Sequence, residues 1–256
     1  MPYSGPVDMR VSKAFWTTTC KYAVVEAVAN SCTLLARNFN ILYASALSMY
    51  DAGVITHMAM LHDDILPCEG WLDILWEEMY NTGATMISSV VAIKDDRGLT
   101  STAIDDPVYT WEAGERLTSS KIMKLPETFV AKDTEFPDRA LLVNSGCWLL
   151  DLSDNRLRTL DDKNELVAFF TVNDRIVKRG GLWASDCESE DWFFSKRLFD
   201  LGIKVAATRK VKTVHLGDVG WTNDIKWGTL SEDDRGGIAK LRQLAAAYNV
   251  QENHNV

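Results

Sequence analysis

Three short stretches of the 256-residue chain bring together side chains able to act on one substrate. The first, His62-Asp63-Asp64, ends the apolar run of residues 56–61 and leads past Pro67 into a helical pattern. Adjacent carboxylates repel each other, and a divalent cation bound with a diphosphate would offset that repulsion. A solvated acidic turn is the bland alternative. The second, Glu188-Ser189-Glu190-Asp191, stands just ahead of Trp192. Acids at a helix start are favoured by the free amides and the macrodipole whatever the function. A carboxylate facing a pocket there could also act as general base, because an acceptor alcohol is a poor nucleophile until its proton is taken.

The third stretch is Val214-His215-Leu216-Gly217, where an apolar run ends in a small residue. A lone histidine at a strand end is commonly just hydrogen-bonded. Beside two carboxylates it suits manganese or another borderline divalent ion better than an all-oxygen site does. Two weaker groups accompany these. Arg37-Asn38 opens a helical pattern, where Arg37 could fork onto a phosphate and Asn38 could cap the helix or touch a nucleotide. The polar stretch of residues 94–101, with Lys94 at its head and Gly98 for a tight turn, is either a donor-site loop or a hairpin connection. Trp192, next to the acid pair, could stack on an acceptor sugar, although core is the better reading for any one aromatic. The chain has no G-x-S-x-G, Walker, G-x-G-x-x-G or HExxH motif, which removes the hydrolase, P-loop and dinucleotide classes.

The elements that must hold these groups follow from periodicity. Phe39, Leu42, Tyr43, Ala46, Leu47 and Tyr50 recur at helical spacing, with Gly53 placed for a left-handed cap. Residues 56–61 predict a buried strand, Leu72 to Met79 a second helix closed near Gly83, and residues 85–93 a further strand. Residues 140–150 predict a strand broken by Asn144-Ser145-Gly146, residues 204–208 and 210–216 two more, and residues 191–201 a helix that carries Phe194 and Leu198 and stops at Gly202. Residues 127–139 read as weakly structured, and residues 238–248 as an outer helix. Short strands alternating with helices predict an α/β fold with a mostly parallel sheet, and ligands beyond the strands' carboxyl ends.

The totals fit one large domain, since 46% of residues are hydrophobic and no composition shift or repeat divides the chain. A formal net charge of -9 argues against nucleic acid as a partner. Five scattered cysteines without a C-x-x-C predict neither a disulfide framework nor a zinc site, and a reducing, cytoplasmic setting. No apolar run is long enough to span a bilayer and no signal-peptide pattern opens the sequence, which predicts a soluble protein with no transmembrane segment.

Taken in order, Ala36-Arg37-Asn38, Thr56-His57, Met60-Leu61-His62-Asp63-Asp64-Ile65 and Gly70-Trp71-Leu72-Asp73 resemble family 2-like glycosyltransferases of bacteria and phages. The resemblance continues through Val91-Ala92-Ile93-Lys94-Asp95, Val143-Asn144-Ser145-Gly146, Glu188-Ser189-Glu190-Asp191-Trp192 and Thr213-Val214-His215-Leu216-Gly217, and covers roughly residues 1 to 225. It implies a single GT-A domain, a Rossmann-like mostly parallel sheet flanked by helices with a smaller mixed or antiparallel sheet on the acceptor side. Residues 1–105 would form the nucleotide-sugar half, residues 106–225 the acceptor and catalytic half, and residues 226–256 a helix and tail. It also implies a UDP- or GDP-sugar donor, a glycan or other hydroxyl acceptor, and Mn2+ or Mg2+ held by Asp64 and His215. Asp63 would lie near the ribose or the metal, with Asp191 as the base of an inverting transfer and Glu190 as the alternative.

Two departures from the family pattern stand out. The usual Asp-x-Asp is His62-Asp63-Asp64 here, with an imidazole in place of the first carboxylate. The family's first strand ends in a nucleotide-holding segment that Met1-Pro2-Tyr3 resembles, and most of that strand has no counterpart, which predicts a truncated or misassigned start. A nucleotide-sugar-binding module without turnover and a sugar-1-phosphate nucleotidyltransferase are the alternatives. The latter class opens with a Gly-rich phosphate loop that this chain lacks.

Overall fold

The structure, a computed structural model, describes residues 1–105, 115–217 and 220–224. In chain order the first half contains β1 (Pro2–Tyr3), α1 (Met9–Trp16), β2 (Asn30–Ser31), α2 (Leu35–Asp51), β3 (His57–Leu61), β4 (Ile65–Pro67), α3 (Trp71–Thr82) and β5 (Met86–Ser89). Next come β6 (Leu99–Ile104), β7 (Glu115–Thr118), α4 (Ser119–Ile122), β8 (Thr128–Val130), β9 (Leu141–Leu142) and β10 (Cys147–Asp151). The last part contains β11 (Asn173–Arg179), β12 (Leu182–Glu188), α5 (Glu190–Asp200), β13 (Val205–Thr208), β14 (Thr213–Leu216) and β15 (Gly220–Thr222).

Side chains alternate across a strand, so β10 faces two cores at once. Trp148 and Leu150 pack with Met58, Met60, Met86, Val205 and Ala207 against Phe39, Tyr43 and Leu47 of α2 and Phe194 and Leu198 of α5. Cys147 and Leu149 pack with Ile87 and Ala206 against Leu72, Leu75 and Met79 of α3 and Val11 of α1. A central sheet with helices on both faces is an α/β architecture. Backbone at Gly53 and Gly202 takes positive φ, +72° and +68°, just past α2 and α5, as the sequence requires of residues that stop those helices.

The strand order is β3-β10-β5-β13-β8, and only the β5–β13 pairing is parallel. The expectation of a mostly parallel sheet is therefore corrected. β3 and β5 do run in the same direction, as a strand-helix-strand unit should, but the crossover skips one position, which β10 fills antiparallel to both. The break at residues 144–146 has a larger consequence than a kink: β9 joins β6 in a separate sheet, and β10 enters the centre. Residues 127–139 include β8, which closes one side of the sheet against β13 and is not weakly structured. The helix expected over residues 238–248, like all of residues 226–256, lies outside the described residues.

At the other side, β3 is an edge strand. Its residues line an apolar cavity of about 440 Å³ together with residues 23–28, Leu42, Trp71 and Trp76. Met1 also lines this cavity, and β1 pairs parallel with β2. Asn38 holds that pair to α2: its Nδ2 donates to Tyr3 O (3.3 Å) and Asn30 O (3.0 Å), and its Oδ1 accepts from Asn30 Nδ2 (2.7 Å). The residue is fully buried, and it caps nothing, since α2 begins at Leu35 with Leu34 as its cap residue. Its amide is thus committed to structure. Among the described residues, no helix is long and apolar enough to cross a membrane.

Asn38→Ala should leave these backbone carbonyls unpaired in the interior and lower stability by about 2 kcal/mol. Thermal unfolding should show a fall of roughly 4–8 °C; an unchanged melting temperature would mean that the β1–β2 pair is not held by this side chain.

Candidate functional site

The acidic turn lies where two sheets meet. β3 stops at Leu61, the His62 amide donates to Gly146 O (2.7 Å), and β4 then turns away to pair with β14. Gly146 permits the approach, because a Cβ there would sit 2.9 Å from Asn144 Oδ1 and 3.0 Å from Ile65 Cγ1. Asn144 is buried and fixes this bend, donating to Ser89 O (2.8 Å) and accepting from the Gly146 amide (2.7 Å). In the β4–β14 register His215 stands opposite Ile65, and the Leu216 amide donates to Asp64 O (2.8 Å). Histidine 215 is thereby delivered to Asp64 from across 151 positions of sequence.

Asp64 is the hub. Its Oδ1 accepts from His62 Nδ1 (2.5 Å); its Oδ2 meets Lys94 Nζ (2.5 Å) and His215 Nε2 (3.1 Å). Asp63 Oδ1 lies 3.1 Å from the same His62 Nδ1. The Asp63 and Asp64 side chains are 16% and 28% exposed, which rules out a simply solvated turn. Burial alone would raise the Asp64 pKa, but its contacts with His215 and His62 outweigh it and hold the carboxyl far below the usual range. Burial would lower the His62 pKa, and the Asp64 contact with the charges of Asp63 and Glu190 reverses that and raises it.

The tautomer of His215 decides what this arrangement can bind. Its Nδ1 lies 2.7 Å from Ala92 O, a pure acceptor, so Nδ1 carries the hydrogen. In the neutral ring Nε2 is then a bare lone pair aimed at a carboxylate oxygen 3.1 Å away. Two lone pairs at that distance require a proton or a cation between them. A backbone carbonyl orienting the ring from its far nitrogen is the usual support of a metal-binding histidine. His62, Asp63 and Asp64 also offer three ligand atoms within 4.8 Å of one another. A nitrogen-and-oxygen donor set of this kind fits manganese or a similar divalent ion.

The second acid group sits at the start of α5, and its members have separate fates. Glu188 is buried and paired with Lys196 Nζ (2.6 Å), which also holds Asp105 (2.7 Å). Asp191 Oδ1 accepts from the Ser189 hydroxyl and from the Trp192 amide (2.8 Å). The charges of Glu190 and His62 each bias the other's protonation. Burial and the neighbouring Asp191 push Glu190 up to about 7, and burial raises Asp191 as well. Trp192 is core: it is buried, donates to Ser101 O (3.0 Å) and lies under the Arg116 guanidinium at 4.3 Å.

The remaining candidates divide. Residues 94–101 form a hairpin, with Gly98 at φ +83° and Ala92 bridged to Thr100, and Lys94 reaches back from it to Asp64. Arg37 is exposed in the first turn of α2 and makes no ion pair with a described residue. Pro2 and Tyr3 lie in β1 beside that turn, and Pro2 is buried. Asn223 has no counterpart among the sequence expectations. Its side chain accepts from the Thr213 amide (3.0 Å) and donates to Val90 O (2.7 Å) and Val211 O (2.9 Å), fixing β14 and so His215. No local pattern could have found it, because all its partners are backbone groups.

Glu190 gives a pH test. Folding raises its pKa from the ordinary 4.5 to about 7, so the folded state holds the proton more tightly. That contribution is full below pH 4.5 and is lost as pH rises through 7. Glu190→Gln cannot ionise, so its melting temperature should gain on the wild type from pH 5 to about pH 7 and then level off. A constant or shrinking difference over that interval would show that Glu190 is not held protonated by its surroundings.

No model of a known protein family matches the chain, and no curated protein does. Among solved structures, the chain is similar to one titled "Crystal Structure of A197 from STIV", with a TM-score of 0.53 and 16% sequence identity over 90% of this chain and 92% of that one. At this identity the likeness is one of fold, and it extends across nearly the whole α/β arrangement.

Proposed function

We propose that the chain is a metal-dependent glycosyltransferase that moves a sugar from a nucleotide-diphosphate sugar to an acceptor hydroxyl. The observation that carries this is the convergence of Asp64 Oδ2 and His215 Nε2 at 3.1 Å, with His215 Nδ1 already committed to Ala92 O. A cation seat at the end of β3 together with an acid pair at the start of a helix matches what diphosphate departure and acceptor activation each need. The GT-A family resemblance of the sequence points to the same chemistry.

Asp64 and His215 would hold Mn2+ or Mg2+, with Asp63 beside them. When bound, the ion supplies Lewis-acid neutralisation of the diphosphate leaving group. Lys94, already at Asp64, would swing its ammonium onto a diphosphate oxygen when Asp64 takes up a cation. Arg37 and Tyr3, at the corner where β1 meets α2, are the groups assigned to the nucleotide.

Asp191 is assigned as the base that takes the acceptor proton. Its Oδ1 is anchored by Ser189 and the Trp192 amide, which holds Oδ2 in a fixed direction, and pre-set geometry of this kind is what a base in a displacement requires. Glu190, near neutral pKa, is the alternative base. Attack from the face opposite the leaving group would invert the anomeric centre.

Thermal-shift screening of UDP, GDP, CMP and dTDP tests this reading. One nucleotide with manganese should raise the melting temperature by several degrees, since a ligand at a hundred times its Kd adds about 2.7 kcal/mol, and chelator should erase the shift. With the matching donor, Asp191→Asn should keep the nucleotide shift and lose roughly two to four orders of magnitude in transfer rate. A folded protein that responds to no nucleotide would contradict the assignment. A nucleotide shift with no turnover in the wild type would favour the binding-module alternative.

A further inference from the structure

Just before α5, the chain forms a two-stranded ribbon that pairs with no other strand among the described residues. β11 and β12 run antiparallel in register from Asn173↔Glu188 to Arg179↔Leu182, with Gly180 and Gly181 turning the end. Its outer half is unusual for a surface. Ile176, Leu182 and Trp183 are 76%, 56% and 74% exposed. Large apolar side chains grouped at a projecting tip mark a contact site more often than chance.

The charges are sorted along the ribbon as well. Its acids, Asp174, Asp186 and Glu188, all lie at the base, where Asp186 is paired with Arg175 (2.8 Å) and Glu188 with Lys196 (2.6 Å). Residues 176–185 contain Lys178 and Arg179 and no acid. Lys178 lies opposite Trp183 in the register, its ammonium 5.8 Å from the indole centroid. The tip is therefore basic and apolar on a chain whose formal net charge is -9.

We propose that this tip docks the protein onto the surface of an anionic lipid bilayer. Each element of the tip has a place at such an interface. Leu182, next to the turn, suits the acyl boundary, Trp183 the headgroup level, Ile176, two residues further up the ribbon than Lys178, the outer headgroup layer, and Lys178 the lipid phosphates and carboxylates. The acidic remainder of the molecule is repelled by the same surface, so attraction and repulsion together orient the ribbon downward. A second copy of the chain is a poorer occupant. Tip-to-tip pairing would set Lys178 against its own copy. Three exposed side chains also fall far short of the roughly 800 Å² per partner that a standard protein interface buries.

This goes beyond the transfer reaction and does not rest on it. It does place the site, because β12 runs through Ser189 straight into Glu190 and Asp191. At about 3.4 Å per residue, its 7 residues would set the acid pair roughly 24 Å from the embedded tip.

Vesicle co-sedimentation of the full chain tests the docking. Wild type should pellet with phosphatidylcholine vesicles containing phosphatidylserine, less so at high salt, and not with phosphatidylcholine alone. The combined variant Ile176→Ser, Leu182→Ser, Trp183→Ser should bind the anionic vesicles about tenfold less, and Lys178→Glu severalfold less. Circular dichroism and the melting temperature should not change, because these side chains are exposed. No sedimentation with anionic vesicles, or equal sedimentation of the serine variant, would overturn the proposal. So would a wild-type dimer that the serine variant dissolves without any vesicle binding, which would assign the tip to self-association.

Discussion

A carboxylate taken partly out of water must be met by positive charge or by hydrogen-bond donors, and the demand grows when several acids share one corner. Asp64 is in that position, with Asp63 beside it and Glu190 within electrostatic reach of its partner His62. His62 and Lys94 answer it directly, and His215 reaches the same carboxylate from a third segment. Much of the surrounding structure can be understood as what brings those three segments to one carboxylate.

Each approach has its own device. His62 is set by the Gly146 carbonyl, which depends on the bend that Asn144 and the missing Cβ of Gly146 allow. Lys94 comes from the short hairpin after β5, and His215 from β14, which Asn223 fastens to the carbonyls of Val90 and Val211. The same bend releases β10 into the central sheet between β3 and β5, where its two faces knit both cores together. Site and fold thus share one constraint: residues 144–146 must break the 140–150 run for His62 to be held and for the sheet to close.

Local periodicity was enough to find α2, α3 and α5 and their glycine stops, because an apolar stripe at helical spacing is written in consecutive residues. It also placed His62-Asp63-Asp64, Glu190-Asp191 and His215 at or near the ends of elements, where the structure has them. Strand neighbours are another matter. Nothing in residues 147–151 says that they lie between β3 and β5, and the sheet looked parallel because β3 and β5 follow the strand-helix-strand pattern. Asn38 resembled a cap or ligand by its place near a helix start, while its partners in β1 and β2 were invisible until those strands paired. The β11–β12 ribbon is different again: Gly180-Gly181 between apolar and polar alternations is a recognisable hairpin signal, and it was there to be found.

The proposal on which most depends is that Asp64 and His215 form a cation seat, with Lys94 paired to the same carboxylate. A crystal soaked with manganese and examined for anomalous scattering addresses it directly. One anomalous peak in contact with both Asp64 Oδ2 and His215 Nε2, with Lys94 Nζ displaced from Asp64, is the result this account predicts. Manganese bound elsewhere on the protein, or an Asp64–Lys94 pair unchanged at saturating manganese, would contradict it.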